Sequence, residues 1–143
     1  MKLNTRDFGE VEIDKNDIIT FVSPIYGFEE YKDFVFLFDD ELSEFFVWLQ
    51  SCENPELCFI LADPTKVDPD YTLSLDEATL NLLGKGDCEA WLVTVISDNF
   101  VDSTANMRSP IIVNPSQKKA LQAVLEDNYP IRFPFVKNRM GES

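Results

Sequence analysis

The sequence predicts a mainly β domain, a small barrel or sandwich, and three observations carry that expectation. Phe46-Val47-Trp48-Leu49 and Leu57-Cys58-Phe59-Ile60-Leu61 are β-rich apolar runs separated by a polar turn with Asn54-Pro55 inside it, which reads as a central hairpin. The first 22 residues divide into three short, partly alternating segments of strand length. Only one stretch carries a full set of helix signals. The second run of the hairpin is apolar for six residues before Asp63-Pro64 stops it, and near-continuous apolarity in a short strand means that both of its faces are covered.

In order along the chain, strands are expected at 2–5, 9–13 and 17–22. The cluster Ser23-Pro24-Ile25-Tyr26-Gly27-Phe28 then turns the chain, because Pro24 fixes φ and Gly27 is free to adopt φ > 0. Residues 28–31 suit one helical turn. Phe34–Phe38 forms the next strand, ended by Asp39-Asp40-Glu41, and the central hairpin follows. Residues 63–72, DPTKVDPDYT, carry two prolines and several turn formers, which predicts an exposed loop.

The helix comes next. Ser74 as N-cap with Glu77 three residues on completes a capping box, and Leu73 can staple against Ala78. Leu75, Ala78 and Leu82 share its face, and Gly84 ends it after about ten residues. Residues 89–96 read as a buried strand, and 103–113 as a strand interrupted by Pro110, which places it at an edge or bulge. Local propensity favours helix for 114–126, with strand alternation through Leu121, Ala123 and Leu125 as the weaker reading. Residues 129–136 cannot be helical across Pro130 and Pro134.

Composition narrows the function classes. The 143 residues fit one domain, with no run long enough to span a membrane and no apolar leader at the N-terminus, so a soluble cytoplasmic protein is expected. Cys52, Cys58 and Cys88 form no CxxC pair and are expected reduced. The net charge of −14 disfavours direct contact with nucleic acid. It is unevenly spread: residues 7–102 carry 23 acidic and 4 basic side chains, whereas 103–143 carry 3 acidic and 6 basic. The acidity reads either as a solvated surface or as a surface for a basic protein partner.

The chain has no histidine, which removes the commonest general base and any Ser-His or Cys-His dyad. No spacing singles out a catalytic carboxylate pair, no glycine-rich loop exists to cradle phosphate, and the acidic clusters lack EF-hand spacing. Neither cofactor nor metal is expected, which leaves the surface. Ile131, Phe133 and Phe135, at spacing two in an extended tail, point one way, either closing the sheet or presenting an apolar ridge. Tyr71, flanked by Asp68 and Asp70, either folds back onto the core or stands as an aromatic anchor.

In their order along the chain these segments resemble the flagellar assembly factor FliW family. The matching features are the Thr5–Gly9 turn; Pro24, Gly27 and Phe28; the strand Phe46-Val47-Trp48-Leu49-Gln50-Ser51; Asp63-Pro64; and Asp70-Tyr71. Most specific is the stretch Asn106-Met107-Arg108-Ser109-Pro110-Ile111-Ile112-Val113-Asn114 with Gln122 after it, which departs from the family's usual pattern at Met107 and Ser109. The resemblance implies a small, mainly antiparallel barrel-like β-fold with one or two short helices, over a single domain 1–143 with 127–143 as a C-terminal extension. It therefore makes 117–126 a strand. It also implies a non-enzymatic cytoplasmic chaperone that binds newly made flagellin and, when flagellin is absent, the RNA-binding translational repressor CsrA. Partner contacts are expected from Asp68, Asp70, Tyr71, Ile131, Phe133 and Phe135. Asn106, Pro110, Asn114 and Gln122 are expected to act structurally. The alternative from another class is a small acidic ligand-binding or carboxylate-based hydrolytic β-barrel.

Overall fold

A computed structural model describes residues 1–42 and 44–139 of the chain. Its strands are β1 (Lys2–Asn4), β2 (Glu10–Glu12), β3 (Ile19–Phe21), β4 (Asp33–Leu37), β5 (Phe46–Ser51), β6 (Cys58–Ala62), β7 (Glu89–Val95), β8 (Thr104–Ala105), β9 (Ile111–Asn114) and β10 (Lys119–Gln122). Three short helices accompany them: α1 (Pro64–Val67), α2 (Glu77–Leu83) and α3 (Phe135–Arg139). The main sheet runs β6-β5-β4-β3-β10-β9-β7, and a further β6–β7 pairing closes those seven strands into a barrel. All ring pairings are antiparallel except β3 with β10.

The period of two along each strand sends alternate side chains inside and outside the ring. Phe34, Leu49, Leu61, Ile111 and Val113 fill the interior with Phe21, Phe36, Phe59 and Trp91 around them. Each such side chain contributes about 1.5–3 kcal/mol by leaving water. The outer wall is covered in three places. The β1–β2 hairpin lays Leu3 and Val11 over Val35, α2 lays Leu83 over Ile112 and Leu121, and α1 with the tail covers Phe46, Trp48 and Leu92. β5 is thus buried at all six positions, and β6 is lined on both faces, as the continuous apolarity of the hairpin requires.

Several local expectations are corrected by packing. Residues 28–31 form turns rather than a helical turn, with the Phe28 amide on the Ile25 carbonyl and the Tyr31 amide on the Phe28 carbonyl. The stretch 63–72 is no simple loop, because Asp63 caps α1 and Pro64 and Val67 are buried beneath it. The second helix starts two residues later than the Ser74 capping box predicts. Asp76 caps it, accepting from the Thr79 amide at 2.8 Å, and a carboxylate suits the positive end of the helix better than a hydroxyl. Its inward residue is Leu83, whereas Leu82 is exposed, since contact with Ile112 and Leu121 sets which side of this two-turn helix faces the barrel.

Pro110 lies before β9 rather than within it. It therefore removes no ladder bond, and β9 is an interior strand flanked by β7 and β10, not an edge. Of the segment 117–126 that the family resemblance makes a strand and local propensity a helix, 119–122 is strand, while 117–118 form the turn before it and 123–126 run on outside any strand. Helix does occur in the tail, starting at Phe135 immediately after Pro134, where a proline's missing N–H costs nothing.

Candidate docking surface

The two regions singled out for partner contact, 68–72 and 129–135, lie side by side. Asp68 Oδ1 accepts from the Asp70 amide at 2.9 Å, which turns the chain after α1 and leaves Asp70 exposed and Asp68 half-buried. Tyr71 then folds inward. Its ring meets that of Tyr129 at 4.7 Å, and its hydroxyl donates to the Met107 carbonyl at 2.8 Å. Tyr129 returns the contact by donating from its hydroxyl to the Thr72 carbonyl and accepting from the Thr72 amide, both at 3.1 Å. Burial, with smaller contributions from Tyr129 and Asp127, pushes the Tyr71 hydroxyl well above the usual phenol range, so it remains a donor at any physiological pH.

The tail is held as an extra edge. Phe133 exchanges two backbone hydrogen bonds of 2.9 Å with Ala105 of β8, and the Met107 amide donates to the Pro130 carbonyl at 3.0 Å. Arg108 braces it from the side, with Nε on the Tyr129 carbonyl and the guanidinium on Asn128. Ile131 is 54% exposed and Phe133 half-buried, whereas Phe135 is 1% exposed and packed among the rings of Phe45, Phe46 and Phe100.

Of the two readings of the tail, the structure shows the one that adds to the sheet, at Phe133, and no single ridge Ile131-Phe133-Phe135 forms. The chain turns helical at Phe135, and that ring completes the cluster beneath the surface. Likewise Tyr71 is not an exposed anchor, because the core takes its ring. What faces solvent is Asp68, Asp70, Ile131 and the outer part of Phe133. Sequence reasoning missed Phe100 and Val95, 47% and 65% exposed, of which Phe100 packs on Phe135 from the neighbouring turn. A lone aromatic set between Asn99 and Asp102 in a polar turn was the available signal.

The signature residues have structural work. Asn106 Oδ1 accepts from the Arg108 and Ser109 amides, and Gln122 bridges the Tyr26 amide to the Ser109 carbonyl. Asn114 is fully buried. Its Nδ2 donates to the carbonyls of Leu83, Gly84 and Lys85 at 3.0–3.3 Å, and its Oδ1 accepts from Ser116 and Gln117. One side chain thus ties the end of α2 to the β9–β10 turn. Gly86 makes room for it, since a Cβ there would meet Ser116 Oγ at 2.5 Å.

Fold and surface together define a small closed β-barrel with its interior filled by side chains and its polar signature residues engaged in backbone support. The model of the FliW protein family matches residues 2–135, and the chain belongs to that family. Among relatives named flagellar assembly factor FliW, the protein of Syntrophus aciditrophicus is 39% identical over 97% of this chain and 90% of its own. That of Caldanaerobacter subterraneus subsp. tengcongensis is 36% identical over 96% and 94%. A crystal structure of the flagellar assembly factor FliW superposes with a TM-score of 0.87 at 34% identity, covering 94% of this chain and 96% of that one.

Proposed function

We propose that this protein is a cytoplasmic flagellar assembly factor that binds newly made flagellin and, when flagellin is absent, binds the translational repressor CsrA and relieves its repression of flagellin synthesis. The observation that carries this reading is the match to the FliW family over residues 2–135, together with relatives named flagellar assembly factors that align over nearly their whole length. Those relatives are named as assembly factors rather than as enzymes. Among the described residues no helix is long and apolar enough to cross a membrane. A ligand-binding or hydrolytic barrel with its site inside the ring would need room there, and Phe34, Leu49, Leu61 and Ile111 take it.

The contact surface we assign comprises Asp68 and Asp70 with Ile131 and Phe133, shaped from beneath by Tyr71 and Phe135. Exposed apolar side chains suit an apolar helical terminus of flagellin. The carboxylates of Asp68 and Asp70 suit a basic partner. Calorimetric titration with flagellin from the same cell, repeated after saturation with CsrA, tests the function. Tight flagellin binding that CsrA alters is the expected result, and no heat with either folded partner would remove this reading.

A further inference from the structure

β10 leaves the barrel with an open edge. Its odd-numbered residues face β9, and that pairing continues past the strand through the Ala123 amide on the Pro110 carbonyl and the Leu125 amide on the Arg108 carbonyl, both 2.9 Å. The even-numbered backbone groups therefore face the other way. There the parallel ladder with β3 runs through the Thr20 amide on the Lys118 carbonyl and the Val22 amide on the Ala120 carbonyl. The next rung would bring the N–H of residue 24 to the Gln122 carbonyl, but residue 24 is a proline and has none. Among the described residues, no backbone partner reaches the Gln122 carbonyl or either backbone group of Val124.

This edge forms the floor of an open groove of about 590 Å³ between the Ser23–Tyr26 turn and α2, a volume in the range of ligand clefts. Tyr26, Leu82 and Val124 line it with more than half of their surface exposed, at 66%, 51% and 56%. Its charged lining residues are Asp76, Glu126 and Asp127, with no lysine or arginine. Hydrogen bonds from Thr79 hold the Asp76 carboxyl below its ordinary pKa, so it stays negative.

We infer that this groove is a strand-addition site for an extended, basic segment of a partner protein, which adds beside residues 122–126 and sets alternate apolar side chains against Tyr26, Leu82 and Val124. The free backbone groups supply the ladder, and the three exposed apolar side chains offer contact to alternate side chains of an added strand within an otherwise polar lining. The acidic lining and the chain's charge of −14 select a basic occupant over a second copy of this acidic chain, whose edge would bring three further carboxylates into the groove. This site shares no lining residue with the surface at 68–72 and 131–133, which it adjoins at Asp127, and it does not depend on who the partner is.

The test is an NMR titration of the full chain with a synthetic heptapeptide alternating valine and lysine, acetylated and amidated at its ends. The expected result is saturable binding that shifts the amides of Gln122, Val124 and Glu126 and protects Val124 from hydrogen exchange. Replacing lysine by glutamate in the peptide, or N-methylating the peptide backbone on its bonding edge, should weaken binding at least about tenfold. Val124→Pro removes an amide that has no backbone partner among the described residues, so no internal hydrogen bond of that amide is lost and the affinity falls. Glu126→Gln with Asp127→Asn should lower it about threefold to tenfold at low salt. Shifts confined to other surfaces, equal binding of the glutamate or N-methylated peptide, or no binding up to about 1 mM would overturn the inference. So would a concentration-dependent dimer that protects Val124 with no peptide present, since the occupant would then be a second copy.

Discussion

Asn114 uses both ends of its amide on the backbone, donating to three carbonyls at the end of α2 and accepting from the amides of the following turn; of the three carbonyls, that of Lys85 is also reached by Ser116 Oγ and Gln117 Nε2. Asn114→Ala takes this partner from the Leu83 and Gly84 carbonyls and from the Ser116 and Gln117 amides, and a loss of about 2–3 kcal/mol in urea unfolding is expected. Tyr71→Phe isolates a single acceptor, the Met107 carbonyl, and should cost about 1–2 kcal/mol with the ring contact to Tyr129 kept. The thiols give a pH dependence. Burial raises Cys52 and Cys58 from 9.0 to about 11, with Asp33 adding to the effect on Cys52. A raised acid favours the protonated native state. This contribution is therefore whole below pH 9 and is lost as pH climbs from about 9 to 11, as the unfolded chain releases its protons first. Unfolding midpoints across that interval measure it, and iodoacetamide at pH 8 should label native Cys52 and Cys58 far more slowly than the unfolded chain.

Among the elements, the tail separates support from contact. Phe135 is buried against three aromatic rings, so Phe135→Ala should cost about 3–5 kcal/mol and lower the thermal midpoint sharply. Ile131→Ser, at an exposed position, should leave the midpoint within about a degree or two while weakening whichever partner uses this surface. Equal partner affinities for wild type and Ile131→Ser would remove the tail from the interface. Truncation after Glu126 is a poor test by comparison, because it deletes Phe135 from the core as well as Ile131 from the surface.

Over the whole molecule the governing quantity is charge. With 23 acidic against 4 basic residues between 7 and 102, a protein of this charge docked, as proposed, beside the RNA surface of a basic repressor would lower the local potential for incoming phosphates within about 8 Å at physiological salt. Antagonism of RNA binding should weaken as salt rises from about 0.05 to 0.5 M, measured as the RNA affinity of the repressor with and without this protein. Antagonism indifferent to salt would leave the effect to contact alone.

The strand class of most segments, the central hairpin, the turn at Pro24-Gly27, the end of α2 at Gly84 and the acidic balance are all legible in the chain before it folds. These depend on local chemistry: side-chain alternation, a fixed φ, a missing N–H or a left-handed glycine. The order of signature residues also carried the family. That 119–122 is strand follows from packing, because pairing with β3 and β9 outweighs the local helical spacing. Packing likewise decided that Leu83 rather than Leu82 faces inward, and that Tyr71 and Phe135 belong to the core while Asp70 and Ile131 remain outside. The open edge at 122–126 was legible in neither strand alone. It arises where Pro24, distant in sequence, ends the ladder beside β10, and such a meeting exists only once the barrel has closed.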